Sequence, residues 1–208
     1  IKLNNVLKKF GMDKSKKMFE RIHASFGGHL RLLISGAAAI DPEVAKGFRD
    51  LGIHFLQGYG LTECAPIVAL NRDVDFKDAA AGLPMPGVDI AISNSDENGI
   101  GEIIVRGPNV MLGYYKDEAA TKQVIDSNGY FHTGDLGYMD KDQFVYITGR
   151  KKNVIVTKNG KNIFPEEIEY LLLKSLYIQE VLVYASEEEG DTIVKANIFP
   201  DFEKIEED

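Results

Sequence analysis

The chain has 208 residues, too long for one small module and short for two full domains. Its 24 Lys and Arg against 32 Asp and Glu leave a net charge of −8, which argues against a general nucleic-acid or membrane-surface binder, since both need a cationic face. Apolar residues at 44% and charged residues at 27% suit a chain with a sizeable core, and a single cysteine, Cys64, excludes an intramolecular disulfide and a finger-type zinc site.

These values read as a soluble, cytosolic globular protein. The longest apolar stretch, residues 32–40, is interrupted by Ser35 and Gly36 and falls short of a membrane span. Residues 1–17 mix lysines with scattered apolar residues and have no signal-peptide architecture. The chain opens on Ile and closes on the acidic run 203–208, so it is expected to be a piece of a longer protein.

In chain order, residues 15–26 place Met18, Phe19, Ile22 and Phe26 at helical spacing before Gly27 and Gly28, which predicts one helix. Residues 30–35 predict a short buried strand that runs into Ser35-Gly36-Ala37-Ala38-Ala39. Asp41-Pro42-Glu43 opens a helix, with Asp as cap and Pro in the first turn; Val44, Phe48 and Leu51 form its apolar face and Gly52 stops it. Residues 54–57 return as a strand. The succession strand, loop, helix, strand predicts an α/β layer of a larger sheet.

From Gly82 onward Gly and Pro become dense and separate short β-rich runs, including 88–92 and 102–106. Residues 117–125 predict a short helix. Asn128-Gly129 marks a turn, and Asp140-Lys141-Asp142 joins 137–139 to 144–147 as a hairpin. This middle part, about 82–148, is expected to be a small β subdomain. After Arg150, residues 154–157 and 162–164 flank the hairpin signal Asn159-Gly160, Pro165-Glu166-Glu167 opens a helix, and 181–185 and 192–198 predict two strands. The expected fold class is therefore α/β followed by α+β, with a hinge near Lys152 before a small α+β unit.

Three stretches carry chemistry. Gln57-Gly58-Tyr59-Gly60-Leu61-Thr62-Glu63 follows a strand directly. Its glycines allow close backbone approach to a ligand, Tyr59 offers a flat face for a base, Thr62 a hydroxyl for phosphate, and Glu63 a hard oxygen for magnesium. The same stretch also reads as a tight strand-end turn around a buried tyrosine. In Thr133-Gly134-Asp135-Leu136-Gly137, a carboxylate between glycines at a strand end suits the two hydroxyls of a ribose, or else is a turn aspartate bonded to its own backbone. In Gly149-Arg150-Lys151-Lys152-Asn153, arginine suits a fixed ribose or phosphate contact, while the lysines also fit a solvated face. The four histidines show no metal-ligand spacing, Asp73, Asp75 and Asp78 lack the pattern of a calcium loop, and Cys64 reads as a small hydrophobe.

Taken in order, the three stretches resemble the adenylate-forming (AMP-binding) superfamily of acyl-CoA synthetases, peptide-synthetase adenylation domains and luciferases. Gly149-Arg150-Lys151-Lys152, with Lys158-Asn159-Gly160-Lys161-Asn162-Ile163-Phe164-Pro165-Glu166-Glu167-Ile168-Glu169, is most similar to bacterial long-chain fatty-acid–CoA ligases. The resemblance implies that residues 1–149 are the C-terminal portion of the large domain and that 150–208 belong to the small C-terminal domain. It implies that Gly36 and Ala37 line the acyl and adenine pockets, Gly58 and Tyr59 meet adenine, Thr62 meets the α-phosphate, and Glu63 holds magnesium. Asp135 and Arg150 would grip the ribose, Lys152 would be the hinge, and Gly160 would face the pantetheine tunnel.

The implied substrates are ATP, a fatty acid and coenzyme A, with Mg2+ as the ion. The acid first gives acyl-AMP, and the CoA thiol then displaces AMP. Peripheral membrane contact of the whole protein and its oligomeric state stay open, and no nucleic acid is implied. Tyr130 stands where many members carry Trp. The family's glycine-rich phosphate loop and terminal catalytic lysine are not found in these 208 residues, which are expected to be inactive alone. Two other readings stand beside this one: an aryl-acid or amino-acid adenylating domain, and a non-catalytic nucleotide-binding domain on the same scaffold.

Overall fold

The computed structural model describes residues 10–36, 40–188 and 191–207. The chain divides into two compact units: residues 1–91, 104–133 and 139–147 form one, and residues 92–103, 134–138 and 148–208 form the other.

The first unit opens with α1 (Ser15–Met18) and α2 (Glu20–Ser25) in place of the single predicted helix. The break falls at Phe19, which leaves helical geometry at φ −116°, ψ 31°. The buried side chains are Ser15 and His23 rather than the apolar stripe of Met18, Ile22 and Phe26. Polar anchors explain the choice: a His23 ring nitrogen meets the Leu51 carbonyl at 2.9 Å, and Ser15 packs on Gly52.

Strand β1 (Leu32–Ser35), helix α3 (Pro42–Asp50) and strand β2 (His54–Gly60) form the predicted α/β layer, with β1 parallel to β2 and Ser35 opposite Gln57. The Asp41 carboxylate accepts the Glu43 N–H at 2.7 Å, as the cap reading requires. At the other end Gly52 sits at φ +83°. Its N–H reaches the Arg49 carbonyl and the Ile53 N–H reaches Phe48, the paired bonds of a Schellman stop. Phe48 stacks on Phe55 with ring centroids 5.3 Å apart, seating α3 on the sheet over Ala45 and Ile53. The expectation that residues 30–35 form a buried strand is corrected: Leu32 is 42% and Ile34 52% exposed, both on the more open face of β1, which is an edge strand among the described residues.

Strand β3 (Ile67–Leu70) runs antiparallel to β2, and β4 (Leu83–Pro84) pairs with β3. Between them, buried Asn71 organises the loop by donating to the Ala80 carbonyl at 2.8 Å and accepting the Lys77 N–H at 3.1 Å. Strands β5 (Asp89–Ser93), β6 (Gly101–Arg106), β7 (Phe131–Met139) and β8 (Val145–Arg150) form a sheet in that order. Helix α4 (Glu118–Val124) is capped by Asp117, which accepts the Ala120 N–H at 2.9 Å.

Lys77 ties this unit together, bonding Asp140 at 2.5 Å and Asp142 at 2.8 Å. The Asp140 carboxylate, held by Lys77 and by the Phe144 N–H, is lowered to about 2. A carboxyl whose folded pKa lies below its ordinary 3.8 contributes stability above that value and loses it as the pH falls towards 2. Urea midpoints measured across this acid range are therefore expected to fall in the wild type and to fall less steeply in Lys77→Met.

In the second unit, a 3₁₀ turn (Lys151–Asn153) leads into β9 (Ile155–Val156) and β10 (Asn162–Ile163), paired antiparallel around the Asn159-Gly160 turn as predicted. Helix α5 (Pro165–Leu172) follows, opened by Pro165 with Glu166 and Glu167 in its first turn. Strands β11 (Ile178–Glu188) and β12 (Asp191–Pro200) are longer than the apolar runs implied, and α6 (Phe202–Glu207) comes last. The Glu169 carboxylate accepts the Val183 N–H at 2.7 Å, fastening α5 to β11.

Candidate functional site

The candidate residues fall into two groups, one in each unit. In the first, parallel pairing sets Ser35, the carboxyl end of β1, beside Gln57, from which β2 runs on to Gly60; the carboxyl ends of strands are where α/β sheets bind ligands. Gly36 and Gly58 meet there: a Cβ on Gly36 would stand 3.5 Å from the Gly58 carbonyl, ordinary contact distance. Ala37 lies outside the described residues.

Tyr59 is 7% exposed, with its side chain inside the unit. Beyond it, β2 approaches the start of β3 so closely that a methyl group at Gly60 would fall on the Pro66 carbonyl. The Leu61 N–H donates to that same carbonyl at 2.8 Å, fixing the turn that follows. Gly60→Ala is expected to destabilise the protein by about 1–3 kcal/mol, the range for overpacking, read as a lower urea midpoint.

Thr62 and Glu63 lie on a 3₁₀ turn (Thr62–Cys64) closed by Ala65 in the left-handed region at φ 52°. Thr62 is exposed. The Glu63 carbonyl accepts the Met111 N–H at 2.7 Å, and its carboxylate accepts the Tyr114 hydroxyl at 3.0 Å. Burial, then hydrogen bonding to the Glu63 carboxylate, raises the Tyr114 phenol above its ordinary value. Cys64 is fully buried; burial first and the Glu63 charge second push its thiol up to about 11. A thiol this hard to ionise is no nucleophile near neutrality. Asn109 steadies the turn from outside, donating to the Cys64 and Ile67 carbonyls at 3.1 Å each.

The donor set suits magnesium held mainly by phosphate oxygens. Among the described residues no group of three or more His, Cys, Asp or Glu side chains converges on a metal position. Mg2+ normally takes one or two carboxylates and completes its shell with water and phosphate. Glu63 beside the Thr62 hydroxyl fits that pattern.

In the second unit, Asp135 lies not at a strand end, as the sequence reading expects, but midway along β7 on its buried face, because the strand continues through both flanking glycines, its residues alternating between buried and partly open from Phe131 onward. A carboxylate at an inward position needs a compensating cation. Arg150, at the end of β8, supplies it: Nε stands 2.8 Å from Asp135 Oδ1, with the Asp135 side chain 6% and the Arg150 side chain 49% exposed. The two residues that the family resemblance pairs across fifteen positions are thus in contact. Lys152 is exposed on the 3₁₀ turn directly after Arg150. Gly160 is exposed at φ +75° in the β9–β10 turn, which the Thr157 hydroxyl closes by accepting the Lys161 N–H.

Two site neighbours were missed in the sequence. Tyr114 follows Gly113 and adjoins Tyr115, a cluster that hinted at a built loop but not at Glu63. Glu102 looked like an ordinary strand residue, yet it is 7% exposed, accepts the Gly134 N–H at 3.2 Å and pairs with Lys151 Nζ at 2.9 Å.

The model of the AMP-binding enzyme family matches residues 3–115, more than half of the chain. The chain belongs to the AMP-binding enzymes. It is 38% identical over 174 residues to a long-chain-fatty-acid–CoA ligase of Escherichia coli O157:H7, a match that covers 80% of this chain and 30% of the relative. Long-chain-fatty-acid–CoA ligase 6 of Rattus norvegicus is 36% identical over 173 residues, covering 80% of this chain and 25% of that protein. Among solved structures, o-succinylbenzoate coenzyme A synthetase (MenE) from Bacillus subtilis, in complex with ATP and magnesium ion, superposes with a TM-score of 0.75 at 30% identity, over 82% of this chain and 37% of the other. This AMP-binding chain thus has the mixed α/β fold of adenylate-forming enzymes and spans about a third or less of the curated relatives it matches. Among its described residues no helix is long and apolar enough to cross a membrane.

Proposed function

We propose that this chain is part of an acid–thiol ligase that activates a long-chain fatty acid with ATP and transfers the acyl group to coenzyme A. The observation that carries the proposal is the ion pair of buried Asp135, midway along β7, with Arg150 at the end of β8, a polar pair suited to the two hydroxyls of a ribose. The names of the relatives support the acid class and the thiol acceptor.

In this reading Gly36 and Ala37 line the acyl and adenine pockets. Gly58 presents backbone to adenine, and Tyr59 is its second contact. Asp135 and Arg150 hold the ribose, and the Thr62 hydroxyl donates to the α-phosphate. Glu63 would hold magnesium, which when bound offsets the negative charge that builds on the phosphates. The acid's carboxylate attacks the α-phosphorus as the bond to pyrophosphate breaks, giving acyl-AMP. The CoA thiol, losing its proton, then attacks the acyl carbonyl and AMP leaves. Lys152 serves as the hinge between residues 1–149 and 150–208, and Gly160 faces the pantetheine arm after the turn. The site is read as cytoplasmic, in keeping with one buried cysteine.

The 208 residues alone are proposed to be inactive, on the reading that the glycine-rich phosphate loop and the terminal lysine are not among them. The likeness to o-succinylbenzoate coenzyme A synthetase supports a second reading in which the acid is aryl. The complete polypeptide, incubated with ATP, magnesium and coenzyme A, separates the two. Long-chain acyl-CoA with stoichiometric AMP is the expected product from a panel of fatty, aryl and amino acids. Thioesters of aryl acids alone would replace the substrate, and no thioester with any acid would overturn the proposal.

A further inference from the structure

Two carboxylates hold the turn that carries Lys152, one on each side. Glu102, on β6, takes Lys151 Nζ at 2.9 Å. Glu166, in the first turn of α5, uses a single oxygen, Oε1, to accept the Asn153 side-chain amide at 2.7 Å and the Arg150 N–H at 3.4 Å. Glu166 therefore bridges the chain across Lys152, bonded to one residue before it and one after it. Its second oxygen, Oε2, is buried without a hydrogen-bond partner among the described residues, and a Cβ at Gly149 would stand 2.7 Å from it.

From this arrangement we infer that Glu166 is a positioning residue for the hinge, a latch that favours one of the two arrangements of the chain about Lys152. The inference rests on the reading of Lys152 as the hinge. The two bonds to Oε1 are unequal. The short, charge-assisted contact with Asn153 holds Oε1 in place to meet the Arg150 backbone, and it is this longer contact with Arg150, spanning Lys152, that breaks when the chain turns. Glu102 keeps Lys151 on β6, so the turn is confined to Lys152. A buried acceptor without a donor raises the free energy of the latched arrangement, which keeps the latch reversible. A bond present in one state and absent in the other shifts their populations by its own strength.

The test uses the complete polypeptide and measures its two half-reactions separately: acid-dependent ATP–pyrophosphate exchange, and transfer from preformed acyl-AMP to coenzyme A. Glu166→Gln weakens the bridge while keeping its shape, and Asn153→Ala removes the strong contact at an exposed position. Both are expected to change the ratio of the two rates by about tenfold, in the same direction. Unchanged rates, or both rates falling by one common factor, would overturn the latch. Lys152→Pro separates the two levels of the argument. If it leaves both half-reactions intact, the hinge reading fails and the latch with it. If it blocks one half-reaction while Glu166→Gln and Asn153→Ala leave the ratio alone, only the latch fails.

Discussion

Glu63→Gln in the complete polypeptide is expected to lower acid-dependent adenylate formation by about 10²–10³-fold, the range for removing one group that stabilises developing charge. The change keeps the side chain's size and removes the charge that would hold magnesium. The turn itself should survive, because it is the Glu63 backbone carbonyl that receives the Met111 N–H. The wild-type carboxylate accepts the Tyr114 hydroxyl at 3.0 Å, so Tyr114→Phe tests orientation rather than charge and should cost only severalfold. Titrating magnesium at saturating ATP completes the comparison: the Gln variant should need more metal, and the Phe variant about as much as wild type. An unchanged rate in Glu63→Gln would remove Glu63 from the metal site.

The second large effect separates stability from binding. Asp135 is buried and Arg150 half exposed, so the two ends of the pair are unequal. Arg150→Ala leaves a buried carboxylate without the cation that offsets its desolvation, a loss of about 3 kcal/mol. Asp135→Asn leaves a neutral side chain of the same shape inside and an arginine that can turn to water, a loss of about 1 kcal/mol. Thermal unfolding should therefore fall about three times as far in Arg150→Ala as in Asp135→Asn. Nucleotide binding should weaken about tenfold or more in both, because each removes a charged contact to the ribose. Equal shifts in melting temperature would contradict the burial asymmetry, and unweakened AMP binding would remove the pair from the ribose.

Local signals account for what was legible in the sequence. Asp41 before Pro42, Gly52 after α3 and Asn159-Gly160 between β9 and β10 each specify a backbone state within four residues, and each forms as read. The pairing of Asp135 with Arg150 became legible through the resemblance, since no local rule joins positions fifteen apart. What escaped depends on long-range packing. The break at Phe19 follows from Ser15 and His23 winning the buried face through contacts with Gly52 and Leu51. Leu32 and Ile34 look like core residues until they are placed on the more open face of β1. Glu102 and Lys151 lie 49 positions apart, and Glu63 and Tyr114 lie 51 apart, so neither pair has a sequence signature.

The central claim is that the Asp135–Arg150 and Thr62–Glu63 groups belong to one adenylate-forming enzyme acting on a fatty acid. Acid-dependent exchange of labelled pyrophosphate into ATP by the complete polypeptide, measured without coenzyme A, tests it most directly. The account predicts exchange that requires magnesium and a long-chain acid and that is lost in Glu63→Gln. Exchange indifferent to acid or to Glu63, or no exchange with any acid, would contradict it.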